Sequence, residues 1–531
     1  MGFFYGLSSY VIHDDNEGLY AEIAREMLVS GHYIIPHLNG VPYIEKPPLL
    51  YWLILISYKL FGLSVLSARL VPSLCGTAVC LSLLWFCHKL QRPILGMITA
   101  LILTSSIGFI IIGRVIFFDM ALTAMLTVSL VTFYLWHQQQ RCAYLYLSYI
   151  FLALAFLVKG LVAVAIAGPV AVLFLWLNGS STKQWRDFFS PLGIALFFGI
   201  CGIWLILACK TLPQFAWDFF INENWYRFVG KRIPMDYYHG PIYYYIPRLF
   251  VYLFPWLFLI PALFSKIKRP VTPLESFLWL WFLVPFVLFS TGSDKANYYM
   301  VVSVPPVAIL LADKIEHWLH HNKFKRLALL FAFSACVICI SAIGNYYCYQ
   351  AFPLMHKFSA IFAVATPIGI LIAGGVMLRY RQAKIAFICI VLLILPLEIF
   401  GIRFLQARYD RDSEITITNY INQHDPQRPV YLYRDYEEMS SVLYYLRHLV
   451  PIINSDSRDL YFGSHTPEAK GKFIDLPTFL AAARQQPVYV ISHVNKKWRQ
   501  FQTKVAPLRF CVLTQSDHFV LVTNKLADCP H

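Results

Sequence analysis

HDDNEGLYAEIAREMLVSGHYIIPHLNGVPYIEKPPLLYW, residues 13–52, packs carboxylates, basic side chains and tyrosines into a protein that is otherwise mostly lipid-soluble. The chain of 531 residues is 58% hydrophobic and 14% charged, with a mean hydropathy of +0.57, whereas soluble domains carry about 25% charged residues. Apolar runs long enough to cross roughly 30 Å of hydrocarbon recur along it. They fall near 66–87, 93–113, 119–137, 142–158, 160–177, 190–208, 241–264, 274–291, 298–312, 326–346, 358–378 and 384–402. This pattern predicts a polytopic α-helical membrane protein of about twelve spans. Ionised groups are costly in hydrocarbon, so a charge-rich segment of such a protein sits at a membrane surface or lines a cavity. Chemistry is therefore expected in 13–52.

The net charge of +15 invites a nucleic-acid partner, but its placement argues against one. Lys89, Arg92, Arg141, Lys183, Arg186, Lys266, Lys268, Arg269, Lys314, Lys323, Lys325, Arg326, Arg379, Arg381 and Lys384 fall in alternate connections. The positive-inside rule makes that side cytoplasmic. Residues 13–52, Arg114 to Asp119, Lys159, the 210–240 loop, Ser293 to Asn297 and everything after about 403 then lie on the outer side. An external 13–52 segment calls for a preceding helix, and GFFYGLSSYVI (2–12) is too short to span; a start lying upstream is expected.

After about Arg403 the apolar runs give way to strand-like pieces (Val430–Arg434, Val488–His493, Phe519–Thr523) and helical ones (Glu437–Arg447, Leu476–Arg484). This divides the chain into a membrane domain, 1–402, whose first outer loop is 13–65, and an outer α/β domain, 403–531. Cys75, Cys80, Cys87, Cys142, Cys201, Cys336, Cys339 and Cys389 fall inside predicted spans and read as small buried hydrophobes. Cys511 and Cys529 share the outer domain, where a disulfide is open to them; no CxxC or zinc spacing is present.

Within 13–52, Leu19, Tyr20, Ile23, Met27 and Leu28 form an apolar stripe at helical spacing, with Glu22, Arg25 and Glu26 elsewhere. This predicts an amphipathic helix lying in the interface. Asp14, Asp15 and Glu17 precede its first turn, where a helix N-terminus favours carboxylates. Capping explains one of them; three invite an acid/base or metal role. Glu45-Lys46-Pro47-Pro48 follows an Asn39-Gly40 turn signal and precedes another apolar helix. Such a Lys–Glu neighbourhood is either an inert ion pair or a holder of phosphate.

The segment DDNEGLYAEIAREMLVSGHYIIPHLNGVPYIEKPPLLYW resembles the first external loop of bacterial membrane glycosyltransferases of the protein O-mannosyltransferase superfamily, and especially the branch containing the aminoarabinose lipid A transferases. Arg114-Val-Ile-Phe-Phe-Asp119, Lys159-Gly160, Asn224 to Phe228, His239-Gly-Pro-Ile-Tyr243-Tyr244 and Ser293-Asp-Lys295 with Tyr298 and Tyr299 resemble later loop motifs of that family. The resemblance implies thirteen spans with a periplasmic C-terminal domain, in the bacterial inner membrane. It implies inverting transfer of a sugar from a polyprenyl phosphate carrier to an envelope acceptor, lipid A first and protein or another glycan next. Lys46 matches the phosphate-contacting lysine, with Arg227, Lys295 and Lys159 as helpers. Tyr20, Tyr43, Tyr243 and Tyr244 are expected to position the sugar, and Glu45 and His239 match positions that hold a divalent metal in some members.

Two departures stand out. The family's catalytic Asp aligns with Asn16 and its nearby Arg with Leu19. An Asn accepts no proton, so Asp15, Asp14, Glu17 or Asp119 would have to supply the carboxylate. A transporter of lipid-linked sugars is a competing reading, weakened because no internal repeat or interrupted helix pair is visible. A catalytically dead scaffold is the third, favoured if Asn16 and Leu19 disable the centre.

Overall fold

The computed structural model describes residues 2–12, 15–235, 239–254, 256–264, 271–321, 415–494 and 496–529, with a few more between 368 and 379. The predicted spans at 326–346 and 384–402, nearly all of 358–378, and His13 and Asp14 lie outside the described residues.

The chain is a polytopic helical membrane protein. Among the described residues five helices are long and apolar enough to cross a membrane: Val65–Lys89, Phe118–Gln139, Cys142–Lys159, Thr182–Thr211 and Pro273–Thr291. In chain order the helices begin with α1 (Asn16–Ser30), α2 (Leu49–Phe61), α3 (Val65–Lys89), α4 (Pro93–Thr104), α5 (Ile107–Ile112), α6 (Phe118–Gln139), α7 (Cys142–Lys159) and α8 (Leu161–Leu177). The predicted run 93–113 is broken at Ser105–Ser106, whose hydroxyls bond back to Leu101 and Ile102 carbonyls and so compete with helix continuation. The run 241–264 likewise divides into Tyr245–Leu253, a 3₁₀ turn at Trp256–Leu259, and Ile260–Leu263. Cys142 is exposed, unlike the buried Cys75, Cys80, Cys87 and Cys201, because it opens α7 beyond the apolar core.

The amphipathic interface helix is a correction. Helix α1 is buried over nearly all its length, from Glu17 to Met27, charges included. Its charges are satisfied internally: Arg25 clamps Glu22 with two bonds of 2.6 and 2.7 Å. The Glu26 carboxylate accepts from the Asn39 and Gly40 amides. Those two residues have positive φ (52° and 71°) and turn the hairpin of β1 (His37–Leu38) and β2 (Val41–Pro42), as an Asn-Gly pair does. Paired and bonded charges tolerate burial that lone ones do not. Hydropathy counts the charges without seeing the partners.

What covers α1 is the C-terminal unit. Its six strands β3 (Val430–Tyr433), β4 (Ile452–Ile453), β5 (Phe473–Ile474), β6 (Tyr489–His493), β7 (Cys511–Gln515) and β8 (Phe519–Thr523) are ordered β5-β4-β3-β6-β8-β7. The β5-β4-β3-β6 part is parallel and β8 and β7 are antiparallel. Strand alternation sends the two faces to different cores. Leu432, Ile452, Tyr489, Ile491 and Leu521 join the core shared with the helical bundle. Tyr431, Tyr433, Ile453, Val490, Val520 and Val522 pack under helices Leu476–Gln485 and Lys496–Lys504. The predicted helix 437–447 shortens to a 3₁₀ turn at Glu437–Met439 and a helix at Ser441–Leu446, which lies against α1. At Gly18 a Cβ would stand 2.7 Å from Ser440 Oγ, so only glycine admits this approach. Cys511 and Cys529 form a disulfide.

Candidate active site

The loops between α1 and α2, before α6, after α7, and around 215–232 and 292–299 converge on one polar cleft. Asp15, Asn16, Tyr20, Tyr43, Glu45, Lys46, Asp119, Lys159, Arg227 and Asp459 line it, together with Phe117, Phe118, Tyr298 and Tyr299.

Lys159 enters because α7 ends there: Gly160 has φ +66°, a conformation that glycine adopts readily, and a Cβ on it would strike the Phe219 ring at 2.8 Å. The Lys159 ammonium bonds Asp119 Oδ1 at 2.6 Å and lies 4.1 Å from the Tyr299 ring centre. Asp119 opens α6.

Lys46 sits in the loop before α2, with Nζ 3.7 Å from Glu45 Oε2. Burial, and then the neighbouring Arg227 guanidinium, bring its pKa down to about 8. Glu45 is held on its other side by Arg232 at 2.5 Å and faces Arg227 at 3.9 Å. Arg232 and Arg227 share Glu223 (2.7 and 3.4 Å), and Arg227 reaches Asp294 at 3.3 Å. A fixed lattice of cations and carboxylates thus presents Lys46 and Arg227 together.

This lattice forms part of the lining of a largely apolar cleft of about 340 Å³, walled also by Leu161, Val162, Phe219, Phe228, Leu288 and Phe289. Lys46, Lys159 and Arg227 line that cleft too. Glu45, Glu223 and Asp294 share the lining; a largely apolar cleft that carries cations fits an anionic headgroup on a hydrocarbon chain.

Several sequence candidates are placed elsewhere. Glu17 is 2% exposed and accepts two bonds from the buried Arg69, at 2.8 and 2.7 Å. Arg69 also donates to the carbonyls of Leu7, Tyr10 and Val11, so Glu17 anchors the N-terminal segment. Lys295 donates to the carbonyls of Phe289, Ser290 and Gly292 and closes the end of helix Pro273–Thr291, as a cation at a helix C-terminus does. Tyr243 is exposed and Tyr244 binds Asn297, both outside the cleft lining. Asn16 accepts a bond from the Tyr20 hydroxyl. Glu45 and His239 are not brought together as metal ligands: His239 lies 3.6 Å from Asp294, while three cations occupy the surroundings of Glu45. Among the described residues no group of three or more potential ligands is assembled. The donor set does not fit a divalent ion.

Residues 11–222 match the family model described as dolichyl-phosphate-mannose-protein mannosyltransferase. Among its relatives are proteins named undecaprenyl phosphate-alpha-4-amino-4-deoxy-L-arabinose arabinosyl transferase. That of Yersinia enterocolitica is 31% identical over 352 residues, 64% of this chain and 62% of the relative. That of Edwardsiella ictaluri is 30% identical over 325 residues, 60% and 58% of the two chains. The chain is similar in sequence to these two transferases. The chain spans 62% and 58% of the lengths of these two curated relatives. The crystal structure of ArnT from Cupriavidus metallidurans bound to undecaprenyl phosphate superposes with a TM-score of 0.85 at 22% identity, covering 100% of this chain and 97% of that one. That likeness is one of fold.

Sequence reasoning missed Arg69, Glu223, Arg232, Asp294 and Asp459. Arg69 was available: an arginine inside a predicted span is a signal in itself. Glu223, Arg232 and Asp294 lie in outer loops whose mutual approach is set by folding. Asp459 belongs to a chain segment more than 400 positions from Asn16.

Proposed function

We propose that this chain is an inverting glycosyltransferase that moves a sugar from a polyprenyl phosphate carrier to an envelope acceptor, lipid A before protein or other glycans. The observation that carries this reading is the pair Lys46 and Arg227 lining a largely apolar cleft. The leaving group is a lipid phosphate that gains negative charge as the sugar departs. Preorganised cations in a water-poor site stabilise that charge more than water does. In this reading the carrier chain lies along Leu161, Phe219, Phe228 and Leu288, and its phosphate meets Lys46 and Arg227. The sugar then projects toward Tyr20, Tyr43 and Asp119, with Lys159 bonded to Asp119. Glu45 and Glu223, both anchored by Arg232, hold the two phosphate-binding cations in place.

The alternation of basic loops supports a cleft on the periplasmic face of the inner membrane. Arg92 pairs with Asp313 and with Glu316, joining two connections assigned to the opposite, cytoplasmic side. The Cys511–Cys529 disulfide suits an oxidising compartment, which supports a periplasmic C-terminal unit, 403–531, capping the membrane domain, 1–402.

The test is mass spectrometry of lipid A and total envelope glycans from cells with and without the gene, and with Lys46→Ala. Loss of one defined sugar in both the deletion and the variant is expected. An unchanged envelope would refute the proposal.

A further inference from the structure

We propose that Asp459, delivered by the C-terminal unit, accepts the proton of the acceptor oxygen, the role that Asn16 has no carboxylate to fill. This inference rests on the glycosyl transfer proposed above.

Four carboxylates line the polar cleft: Asp15, Glu45, Asp119 and Asp459. Glu45 is committed to Arg232 at 2.5 Å, and Asp119 to Lys159 at 2.6 Å. Asp15 precedes α1 with φ +64°, and its backbone is tied at both ends, its amide to the Glu437 carbonyl and its carbonyl to the Ser440 hydroxyl. Among the described residues no ion pair or side-chain hydrogen bond holds the Asp459 carboxylate. A carboxylate already bonded to a cation is a weaker base than one that is not.

Position agrees with chemistry. Asp459 also lines a second cavity, of about 240 Å³, beside Trp217, Arg232, Arg458, Tyr461 and Phe462. It does not line the apolar cleft assigned to the carrier. It therefore stands where a molecule arriving through the second cavity meets the polar cleft. Its main chain is fixed there: the Glu437 carboxylate accepts from the Ser457 hydroxyl and from the Arg458 and Asp459 amides, at 2.6, 2.7 and 3.0 Å. A base has to be held within reach of the proton it takes.

The charged neighbours of Asp459 are Glu45, Glu437, Asp15 and Arg232. The phenols Tyr20, Tyr43, Tyr51 and Tyr436 sense its charge as well. Burial, and then Glu45 and Glu437, push its pKa well above the ordinary carboxylate range, which strengthens it as a base. In the reaction the acceptor oxygen forms a bond to the anomeric carbon. The bond from that carbon to the carrier phosphate oxygen breaks, and its electron pair stays on the phosphate. The acceptor proton ends on Asp459.

The test uses the purified full chain with membranes from a strain lacking the gene, which supply donor and acceptor together, and follows sugar transfer by mass spectrometry. Retention of undecaprenyl phosphate by each variant is measured in parallel. Asp459→Asn is expected to lower turnover about 100-fold or more, to retain undecaprenyl phosphate like the unsubstituted chain, and to lose the fall in rate on the acid side of the pH profile. Asp459→Glu is expected to recover part of the rate. Turnover of Asp459→Asn within about 3-fold of the unsubstituted chain would overturn the inference. So would a slow variant that keeps the acid limb, or one that no longer retains undecaprenyl phosphate. Absence of transfer by the unsubstituted chain would overturn the glycosyltransferase reading and this inference with it.

Discussion

Replacing Arg69 with Met removes both charge-assisted bonds to Glu17 and the three bonds to the carbonyls of Leu7, Tyr10 and Val11. Both partners are almost wholly buried, at 0% and 2% side-chain exposure, so solvent does not screen the loss. Stranding one member of a buried pair costs about 3–5 kcal/mol. Glu17→Gln should cost less, because Arg69 keeps its three carbonyl acceptors and the amide still accepts one bond. The double variant should fall short of the sum of the two single losses by about 1–3 kcal/mol, the coupling of residues in direct contact. At about 2.1 cal/mol/K of unfolding entropy per residue, a whole-chain transition has ΔS near 1.1 kcal/mol/K, and 4 kcal/mol lowers Tm by about 4 °C. Intrinsic fluorescence from the 13 tryptophans reports this in detergent. A Glu17→Gln protein that melts like the parent yet transfers no sugar would refute this account, because Glu17 would then act in the chemistry.

Lys46→Met should reduce transfer by about 100-fold or more, as loss of one preorganised charge-stabilising group does, measured with undecaprenyl phosphate retention alongside. With its pKa brought to about 8, Lys46 of the free enzyme loses its charge as pH rises through that value. Because the carrier phosphodiester keeps a constant charge there, kcat/KM should fall tenfold per pH unit above it, and a profile flat to pH 10 would contradict the role. Lys295→Met should destabilise the fold by roughly 1–2 kcal/mol of helix-terminus stabilisation, read as a lower Tm, with turnover at permissive temperature close to that of the unsubstituted chain. Reducing Cys511–Cys529, or replacing both with Ser, should destabilise the C-terminal unit by about 3 kcal/mol for a closed loop of this size, read by proteolysis of that unit.

The helical part of the fold was legible because hydrocarbon imposes length and apolarity on each span, and α3, α6 and α7 end within two residues of their predicted bounds. Strands β3, β6 and β8 are short apolar runs rich in β-branched and aromatic residues, whereas β4 and β5 are two residues each, too short to carry a signal. The cleft was legible wherever a loop motif carried it, as with Lys46, Asp119 and Lys159. It was illegible where partners decide the role. Glu17 looks like a site carboxylate until Arg69 is found beside it, and Lys295 looks like a phosphate ligand until three carbonyls are found around it. The burial of α1 was hidden for the same reason, since Glu22 and Glu26 read as solvated until Arg25 and the Asn39-Gly40 amides account for them.

Glu437 is a clasp. Its carboxylate gathers residues 457–459, and its carbonyl takes the amide of Asp15. One wall of the cleft is therefore contributed by a segment that leaves the ribosome hundreds of residues after the loops it faces. Lys46, Asp119 and Lys159 are synthesised and inserted long before residues 437–460 exist. The nascent protein cannot complete the cleft while it is still being threaded into the bilayer. Completion of the cleft is tied to synthesis past residue 459 and to the folding of the C-terminal sheet against α1, so the helical bundle alone presents an unfinished cleft.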